Sequence, residues 1–275
     1  MIIDSHTHIG KLSYRVGKNR VSDLPGEDLI AAMEKYSIDY ALVSSIEGAE
    51  FDSEMQLAPP NKQIPQLESF RNLLEFVHLC GDAQSGRPYL KALLWIKPYT
   101  EKITAALEQF IKENRGYIAG LKMHPSLSNI KFTDERFKPY LELTEKYDMP
   151  VQVHTENDGL SDPAYVGEQA DKFPEIKFIM VHMGLNTDNS EAINIIKDHD
   201  NIYGDTCEVK TDNVIRAINE CGSEKILFGT DAIVHGIDTY ERYLPLIESI
   251  RSAFRRDDAD KVMFKNCIRL YRISF

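Results

Sequence analysis

The chain has 275 residues, 43% hydrophobic and 27% charged, which is typical of a globular protein with one large domain or two modest ones. Its formal net charge of −11 disfavours general binding to nucleic acids or anionic membranes, because no basic cluster offsets the repulsion. The four cysteines show no CxxC spacing, which indicates reduced thiols rather than a disulfide framework. The sequence shows no secretory leader pattern and no apolar run of about 20 residues, so we expect a cytoplasmic protein.

Short apolar runs alternate with helical patterns along the chain. Eight of these runs are predicted strands: residues 2–4, 40–44, 89–95, 118–124, 151–154, 177–182, 201–206 and 225–229. Apolar residues recur with helical spacing in GEDLIAAMEKY, TEKITAALEQFIKEN, DERFKPYLELTEKYD, NSEAINIIKDHD and TDNVIRAINECG, and after the last strand in TYERYLPLIESIRSAF and KVMFKNCIRLYRI. Two long connections, 11–25 and 46–66, are predicted to be functional loops that set substrate choice.

This alternation predicts an α/β protein, a (β/α)8 TIM barrel in a single domain over residues 1–275. An open, doubly wound sheet is the alternative that the same alternation permits. No GxGxxG follows any predicted strand, which argues against the nucleotide-binding form of that alternative.

The ends of the predicted strands carry an unusual set of polar side chains. In a barrel, the carboxyl ends of the strands face one shared mouth, where active sites form. Five of the eight histidines and one aspartate fall at the ends of five different strands: His6, His8, His124, His154, His182 and Asp231. Coincidence does not readily explain this placement, so we predict a site there.

His6 and His8 are two residues apart, which on a strand points both side chains to the same face. Two imidazoles could therefore share one divalent ion, although an HxH pair alone is weak support for a metal site. His154 and Asp231 would complete a set of metal ligands that leaves room for a water, and a carboxylate could take the proton from that water.

Each of these residues also has a structural interpretation. His124 and His182 could be packing residues or substrate contacts, and Asp231 could cap a helix. Lys122 could be a solvated lysine, although the apolar run YIAGLKM around it argues against exposure. We interpret Asp4 as a residue that orients a histidine.

The sequence resembles the amidohydrolase superfamily, in its amidohydrolase-related (amidohydrolase 2) branch. The matching elements appear in the family's order and cover essentially the whole chain: DSHTHIG, GLKMHP, PVQVHTE, FIMVHMG, NIYGDT, ILFGTDA and VMFKNCIRLY. The HxH opening combined with a late GTD is specific, although each motif is common on its own.

The resemblance implies a metal-dependent barrel in which an activated water attacks an ester or amide carbonyl. Carried over by position, the metal ligands would be His6, His8, His154 and Asp231, with Asp231 also acting as general base. His182 would bind a second metal or contact the substrate or reacting water, and His124 is a candidate substrate contact. Lys122 would either be carboxylated and bridge two ions or pair with an anionic group of the substrate.

We therefore expect one or two divalent ions, with zinc as the first choice and manganese, iron or cobalt as alternatives. The expected partner is a small-molecule substrate, with no nucleic acid and no membrane, and the protein could form a homo-oligomer.

Three functions remain open at this stage. The leading hypothesis is hydrolysis of a small ester, lactone or amide. Non-oxidative decarboxylases of unsaturated or aromatic acids resemble this pattern too, and a carboxylate-binding arginine would favour them, with Arg15, Arg20 and Arg71 as candidates. The third function is that of a catalytically inactive, metal-free binding barrel, which the completeness of the ligand set argues against.

Overall fold

The computed structural model describes residues 1–12, 23–52, 54–80 and 89–274, which form a mixed α/β fold around a curled sheet. The strands in this part of the chain are β1 (Ile3–Lys11), β2 (Asp23–Leu24), β3 (Tyr40–Ser45), β4 (Tyr89–Trp95), β5 (Ile118–Met123), β6 (Val151–Glu156), β7 (Phe178–Leu185), β8 (Ile202–Asp205) and β9 (Ile226–Leu227). Their spatial order is β2-β1-β3-β4-β5-β6-β7-β8-β9. All neighbours run parallel except β2, which pairs antiparallel with the end of β1.

Helices connect most of the parallel strands. They are α1 (Gly26–Tyr36), α2 (Gln66–Cys80), α3 (Ala105–Glu113), α4 (Pro125–Ser128), α5 (Lys138–Lys146), α6 (Pro163–Lys172), α7 (Ser190–Asp198), α8 (Thr211–Cys221), α9 (Leu244–Ala253), α10 (Arg256–Asp260) and α11 (Asn266–Tyr271). A π-helical turn, Lys261–Lys265, joins the last two. Among the described residues, none of the helices combines the length and the apolar composition that a membrane span requires.

Each of the eight predicted strands coincides with an observed strand, and the differences have local causes. β1 extends to Lys11 because β3 and β2 supply hydrogen-bonding partners beyond Asp4. The helical pattern of residues 100–114 begins as a helix only at Ala105, because the Thr104 hydroxyl accepts a hydrogen bond from Leu107 N–H and caps the first turn.

Adjacent residues of one strand pack into two separate hydrophobic clusters. Val43 and Leu94 join the large cluster formed with the helices, whereas Leu42 and Leu93 belong to a smaller cluster that also contains Tyr271 of α11. This alternation follows from the two-residue period of a strand, which points successive side chains to opposite faces. Both faces of the sheet are therefore covered.

Hydrogen bonds also join β1 to the segment that follows β9. Ser5 N–H donates to Phe228 O (2.8 Å), His8 N–H donates to Ala232 O (2.6 Å), and Asp231 N–H donates to His6 O (2.9 Å). The two ends of the row of parallel strands are thus in direct contact, and the residues that follow β9 lie beside the histidines of β1.

Gly120 of β5 occupies a position with no room for a side chain. A Cβ at this residue would overlap the backbone carbonyl oxygen of Pro150, which precedes β6, whereas a Cβ at Gly116 would meet no atom within 4 Å. We expect Gly120→Ala to lower the free energy of unfolding by about 1–3 kcal/mol, because the two strands must move apart, and Gly116→Ala to have little effect. Urea denaturation followed by circular dichroism measures both, and equal midpoints for the two variants would contradict this packing.

Candidate metal centre

His6 and His8 lie on β1 with their rings directed at each other. Their Nε2 atoms are 3.0 Å apart, and both side chains are buried. His6 Nδ1 lies 3.1 Å from Asp205 Oδ2, and His8 Nδ1 lies 2.9 Å from Ser44 Oγ. When Nδ1–H donates to these oxygens, Nε2 carries the lone pair that can bind an ion. Burial, together with the Lys122 ammonium, holds the pKa of His6 well below its usual value and so favours the neutral, metal-binding imidazole.

Asp231 brings a carboxylate to the same point. Its Oδ1 lies 2.9 Å from His8 Nε2 and 3.4 Å from His6 Nε2. Its φ of 62° lies in the left-handed region, which costs a non-glycine residue about 1–3 kcal/mol. The hydrogen bond from Asp231 N–H to the His6 carbonyl helps to hold this conformation. Three donor atoms thus form a triangle with edges of 2.9, 3.0 and 3.4 Å.

This triangle has the size that a divalent ion requires. Two donors that each lie about 2.1 Å from zinc are about 3.0 Å apart at a right angle and about 3.4 Å apart at the tetrahedral angle. The observed edges, 2.9–3.4 Å, correspond to these separations. Imidazole nitrogens and a carboxylate oxygen are also ligands that zinc, manganese, iron and cobalt accept. The residues therefore fit a divalent metal.

A wider group of buried donors surrounds this triangle. One side-chain donor atom from each of His6, His182, Cys207 and Asp231 lies within 4.8 Å of the others. Cys207 was not among the predicted site residues, because it belongs to no histidine motif. Burial raises the pKa of its thiol well above the usual value, and the nearby carboxylates act in the same direction.

Asp205, the last residue of β8, positions two of the histidines. Its Oδ2 contacts His6 Nδ1, and its Oδ1 accepts hydrogen bonds from the backbone N–H groups of His182 (2.9 Å) and Cys207 (3.2 Å). Complete burial raises the pKa of Asp205 to about 7. The sequence interpretation missed this residue, although the aspartate of NIYGDT ends a predicted strand and offered the same signal as the histidines.

We expect Asp205→Asn to weaken zinc binding by about 10–100-fold, because the amide no longer holds the His6 ring with a negative charge behind it. Competition with a chromophoric chelator measures this affinity. Asp200→Asn is the matched control, since Asp200 is exposed just before β8. Equal zinc affinities for the two variants would show that Asp205 does not support metal binding through His6.

Asp4 contacts the main chain of His6. Its Oδ1 accepts a hydrogen bond from the backbone N–H of His6 (3.0 Å), and its Oδ2 accepts one from the Thr230 hydroxyl (2.5 Å). Burial raises the pKa of Asp4 to about 7. Asp4 therefore holds the main chain of β1 against the segment before Asp231, while the carboxylate that contacts the imidazole of His6 is Asp205.

His124 and His154 belong to a stack of flat rings. The His124 ring stacks on Trp95, with centroids 5.2 Å apart, and on His154, with centroids 3.8 Å apart. His154 Nε2 lies 3.5 Å from Glu156 Oε2, and its ring is 4.9 Å from that of His182. The predicted ligand His154 thus lies beside His182, with a carboxylate next to it.

Lys122 lies on β5 and is only 1% exposed, so it is not a solvated surface lysine. Its Nζ is 3.0 Å from His6 Nε2. The amine therefore lies among the buried histidines.

The predicted site residues meet at a narrow cavity of about 20 Å³ at the carboxyl ends of the strands. Its lining combines the polar group with apolar side chains: His6, His8, Leu24, Ile46, Trp95, Lys122, His124, Leu127, His154, His182, Asp231 and Val234. A second, more open cavity of about 480 Å³ shares His124, Leu127 and His154 with the first. The space for a small organic molecule beside the candidate centre is therefore in this second cavity.

The candidate arginines do not add to this lining within the described residues. Arg71 is exposed on α2. Arg15 and Arg20, together with residues 13–22 of the predicted loop 11–25, lie outside the described residues. In the predicted loop 46–66, two short 3-10 turns, Ile46–Gly48 and Pro60–Lys62, are present, and Ile46 reaches the cavity.

Comparison with known proteins agrees with the motifs in the sequence. The Amidohydrolase family model, in the amidohydrolase 2 branch, matches residues 3–273. No curated protein matches the sequence.

Several solved structures share the fold at low sequence identity. An amidohydrolase from Burkholderia multivorans with bound HEPES has a TM-score of 0.69 at 13% identity, over 100% of both chains. A dihydroxybenzoic acid decarboxylase from Polaromonas sp. JS666, with bound manganese and the inhibitor 2-nitroresorcinol, has a TM-score of 0.64 at 14% identity, over 98% of this chain and 96% of that one. A protein described as a probable 2-pyrone-4,6-dicarboxylic acid hydrolase from Acinetobacter baumannii, with bound citric acid, has a TM-score of 0.64 at 12% identity, over 99% of both chains.

Proposed function

Because the chain belongs to the amidohydrolase family, we propose that it is a metal-dependent hydrolase that uses an activated water to cleave a small ester, lactone or amide. The observation that carries this proposal is the triangle of His6 Nε2, His8 Nε2 and Asp231 Oδ1, with edges of 2.9–3.4 Å. The three atoms come from the two ends of the row of parallel strands, so the fold itself assembles them.

His6, His8 and Asp231 would hold the ion, with His154 and His182 as the further imidazole ligands of a one-ion or two-ion centre. When bound there, a divalent ion, with zinc as the first choice, would supply Lewis acidity that lowers the pKa of a water from about 15.7 to about 7. Neutral imidazoles are needed for this role, and the low pKa of His6 supports it.

The residues of the chain then perform the remaining tasks. The Asp231 carboxylate takes the proton from the attacking water and returns it to the leaving group as general acid and base. His182 contacts the reacting water or the substrate, held by the hydrogen bond from its backbone N–H to Asp205. Lys122 binds the substrate through its charge. His124, whose ring stacks on Trp95, contacts the substrate from the side of the cavity.

We also infer that the sheet closes as a (β/α)8 barrel in a single domain. Eight parallel strands support this, together with the hydrogen bonds that β1 makes to residues 228–232. The match over residues 3–273 supports one domain over residues 1–275.

A second candidate function is non-oxidative decarboxylation of an unsaturated or aromatic acid. The buried Lys122 favours it, because an ammonium in the cavity could pair with the carboxylate of such a substrate. Trp95 and His124 also place flat rings in the lining of the cavity, where an aromatic substrate could contact them.

A substrate panel that follows acid release and carbon dioxide release side by side tests the proposal. The panel contains small lactones, esters, amides and hydroxybenzoic acids, each assayed with zinc-loaded and manganese-loaded protein. Hydrolysis with no carbon dioxide supports the hydrolase, whereas carbon dioxide release alone establishes the decarboxylase. Substrate binding without turnover by either metal form would support the inactive binding barrel.

A further inference from the structure

We propose that the sulfur of Cys207 is a ligand of this metal centre and gives it a preference for zinc or cobalt over manganese. This inference rests on the proposed metal site. The residue lies two positions beyond Asp205, past the carboxyl end of β8, and its side chain is completely buried.

The position of the sulfur follows from the way its backbone is held. Cys207 N–H donates to Asp205 Oδ1 (3.2 Å), and Cys207 O lies 3.2 Å from His182 Nδ1. The preceding Thr206 hydroxyl donates to Gly229 O (2.9 Å) and accepts from Gly229 N–H (3.0 Å), which links this turn to the segment before Asp231. Hydrogen bonds thus hold this turn against both His182 and Gly229.

The donor atoms lie near the separations that a shared ion requires. A sulfur about 2.3 Å from zinc and a nitrogen about 2.1 Å from it are about 3.6 Å apart at the tetrahedral angle and about 4.4 Å apart when opposite. The donor atoms of His6, His182, Cys207 and Asp231 all lie within 4.8 Å of one another. A small rotation of the side chains brings such a group into contact with one ion.

The tautomers of the two histidines are consistent with this arrangement. Nδ1 of His6 is next to Asp205, and Nδ1 of His182 is next to the carbonyl of Cys207, so Nε2 is the ligating atom in both rings. Binding to the sulfur breaks the S–H bond of Cys207, releases its proton to solvent and forms a metal–thiolate bond, with no change of oxidation state.

The chemical consequence is metal selection. Thiolate sulfur favours zinc and cobalt, whereas manganese favours sites of carboxylate and water oxygen. A centre with only imidazole and carboxylate ligands would separate these ions less strongly. One sulfur ligand therefore changes the order in which the site accepts metals.

Cobalt substitution tests the proposal with the metal alone. The protein is stripped with a chelator, loaded with Co²⁺ and examined by absorption spectroscopy. The control variant is Cys221→Ser, because the Cys221 thiol donates to the Ile193 carbonyl. Both the wild-type protein and this control are expected to show visible cobalt bands and a near-ultraviolet sulfur-to-cobalt band. Cys207→Ser is expected to keep the visible bands, to lose the near-ultraviolet band, and to show a zinc-to-manganese affinity ratio lower by about tenfold or more.

X-ray absorption on zinc-loaded wild-type protein gives a readout that needs no variant. A sulfur shell at about 2.3 Å supports the proposal, whereas a shell of nitrogen and oxygen alone overturns it. Bound cobalt without a sulfur band in the wild type overturns the role of Cys207 and leaves the proposed hydrolase intact. Failure of the wild type to bind any divalent metal overturns both.

Discussion

The double variant His6→Ala/His8→Ala is expected to lose its bound metal, from about one equivalent or more to near zero. Hydrolytic activity should fall by at least about 10³-fold, because a water without the metal is not deprotonated at neutral pH. The physical reason is that two of the three atoms in the donor triangle disappear, leaving Asp231 as its remaining member. Elemental analysis of protein purified without chelator, combined with the activity assay, measures both effects.

The matched control is the double variant His78→Ala/His199→Ala. His78 packs against Tyr117, and His199 is near Asp171, so both lie away from the residues that line the cavity. The control should retain the metal and the activity. If both double variants retain metal equally, the donor triangle does not hold the ion.

Asp231→Asn should lower kcat by about 10²–10⁴-fold, the range expected when a general base is removed. The asparagine retains an oxygen that can contact the ion, but it cannot accept the proton of the attacking water. We therefore expect a much larger loss in kcat than in metal content. Steady-state kinetics on metal-saturated protein, together with elemental analysis, separates the two effects.

The comparison for this variant is Asp198→Asn, at the exposed end of α7. It removes the same charge from the chain but leaves the cavity unchanged. A kcat for Asp231→Asn within about threefold of the control value would show that Asp231 is not the base, since a general base contributes at least about 10²-fold.

Much of the fold was predictable because the signals are local. Buried strands appear as short apolar runs, and α1 covers the stretch GEDLIAAMEKY from end to end because its apolar residues recur at helical spacing. The two histidines of β1 were also recognisable, since the spacing of two residues is the period of a strand. Their short Nε2–Nε2 distance is what that spacing permits.

Other parts of the site depend on contacts between distant segments. Asp205 reaches His6 across 199 positions of the chain, and Asp231 meets His8 only because the segment after β9 bonds to β1. Cys207 has no motif of its own, and its place next to His182 comes from the turn after β8. The spacing of apolar residues describes one helix or strand at a time, so it cannot predict contacts between distant segments.

Two residues of the candidate site have a left-handed backbone conformation that their sequence does not predict. His182 and Asp231 both have positive φ, at 69° and 62°, although neither is a glycine. Local preference disfavours this conformation, and hydrogen bonds from distant residues compensate. Asp205 accepts from His182 N–H, while the His6 carbonyl accepts from Asp231 N–H. Local propensity therefore does not predict the backbone conformation of these two residues of the candidate site.

Titration of chelator-stripped protein with zinc, with hydrolysis measured after each addition, tests the central claim most directly. We predict that the stripped protein is inactive, that activity rises linearly and levels off at one or two equivalents of zinc, and that His6→Ala/His8→Ala shows no such rise. Full activity of the stripped protein, unchanged on adding zinc, would contradict the account.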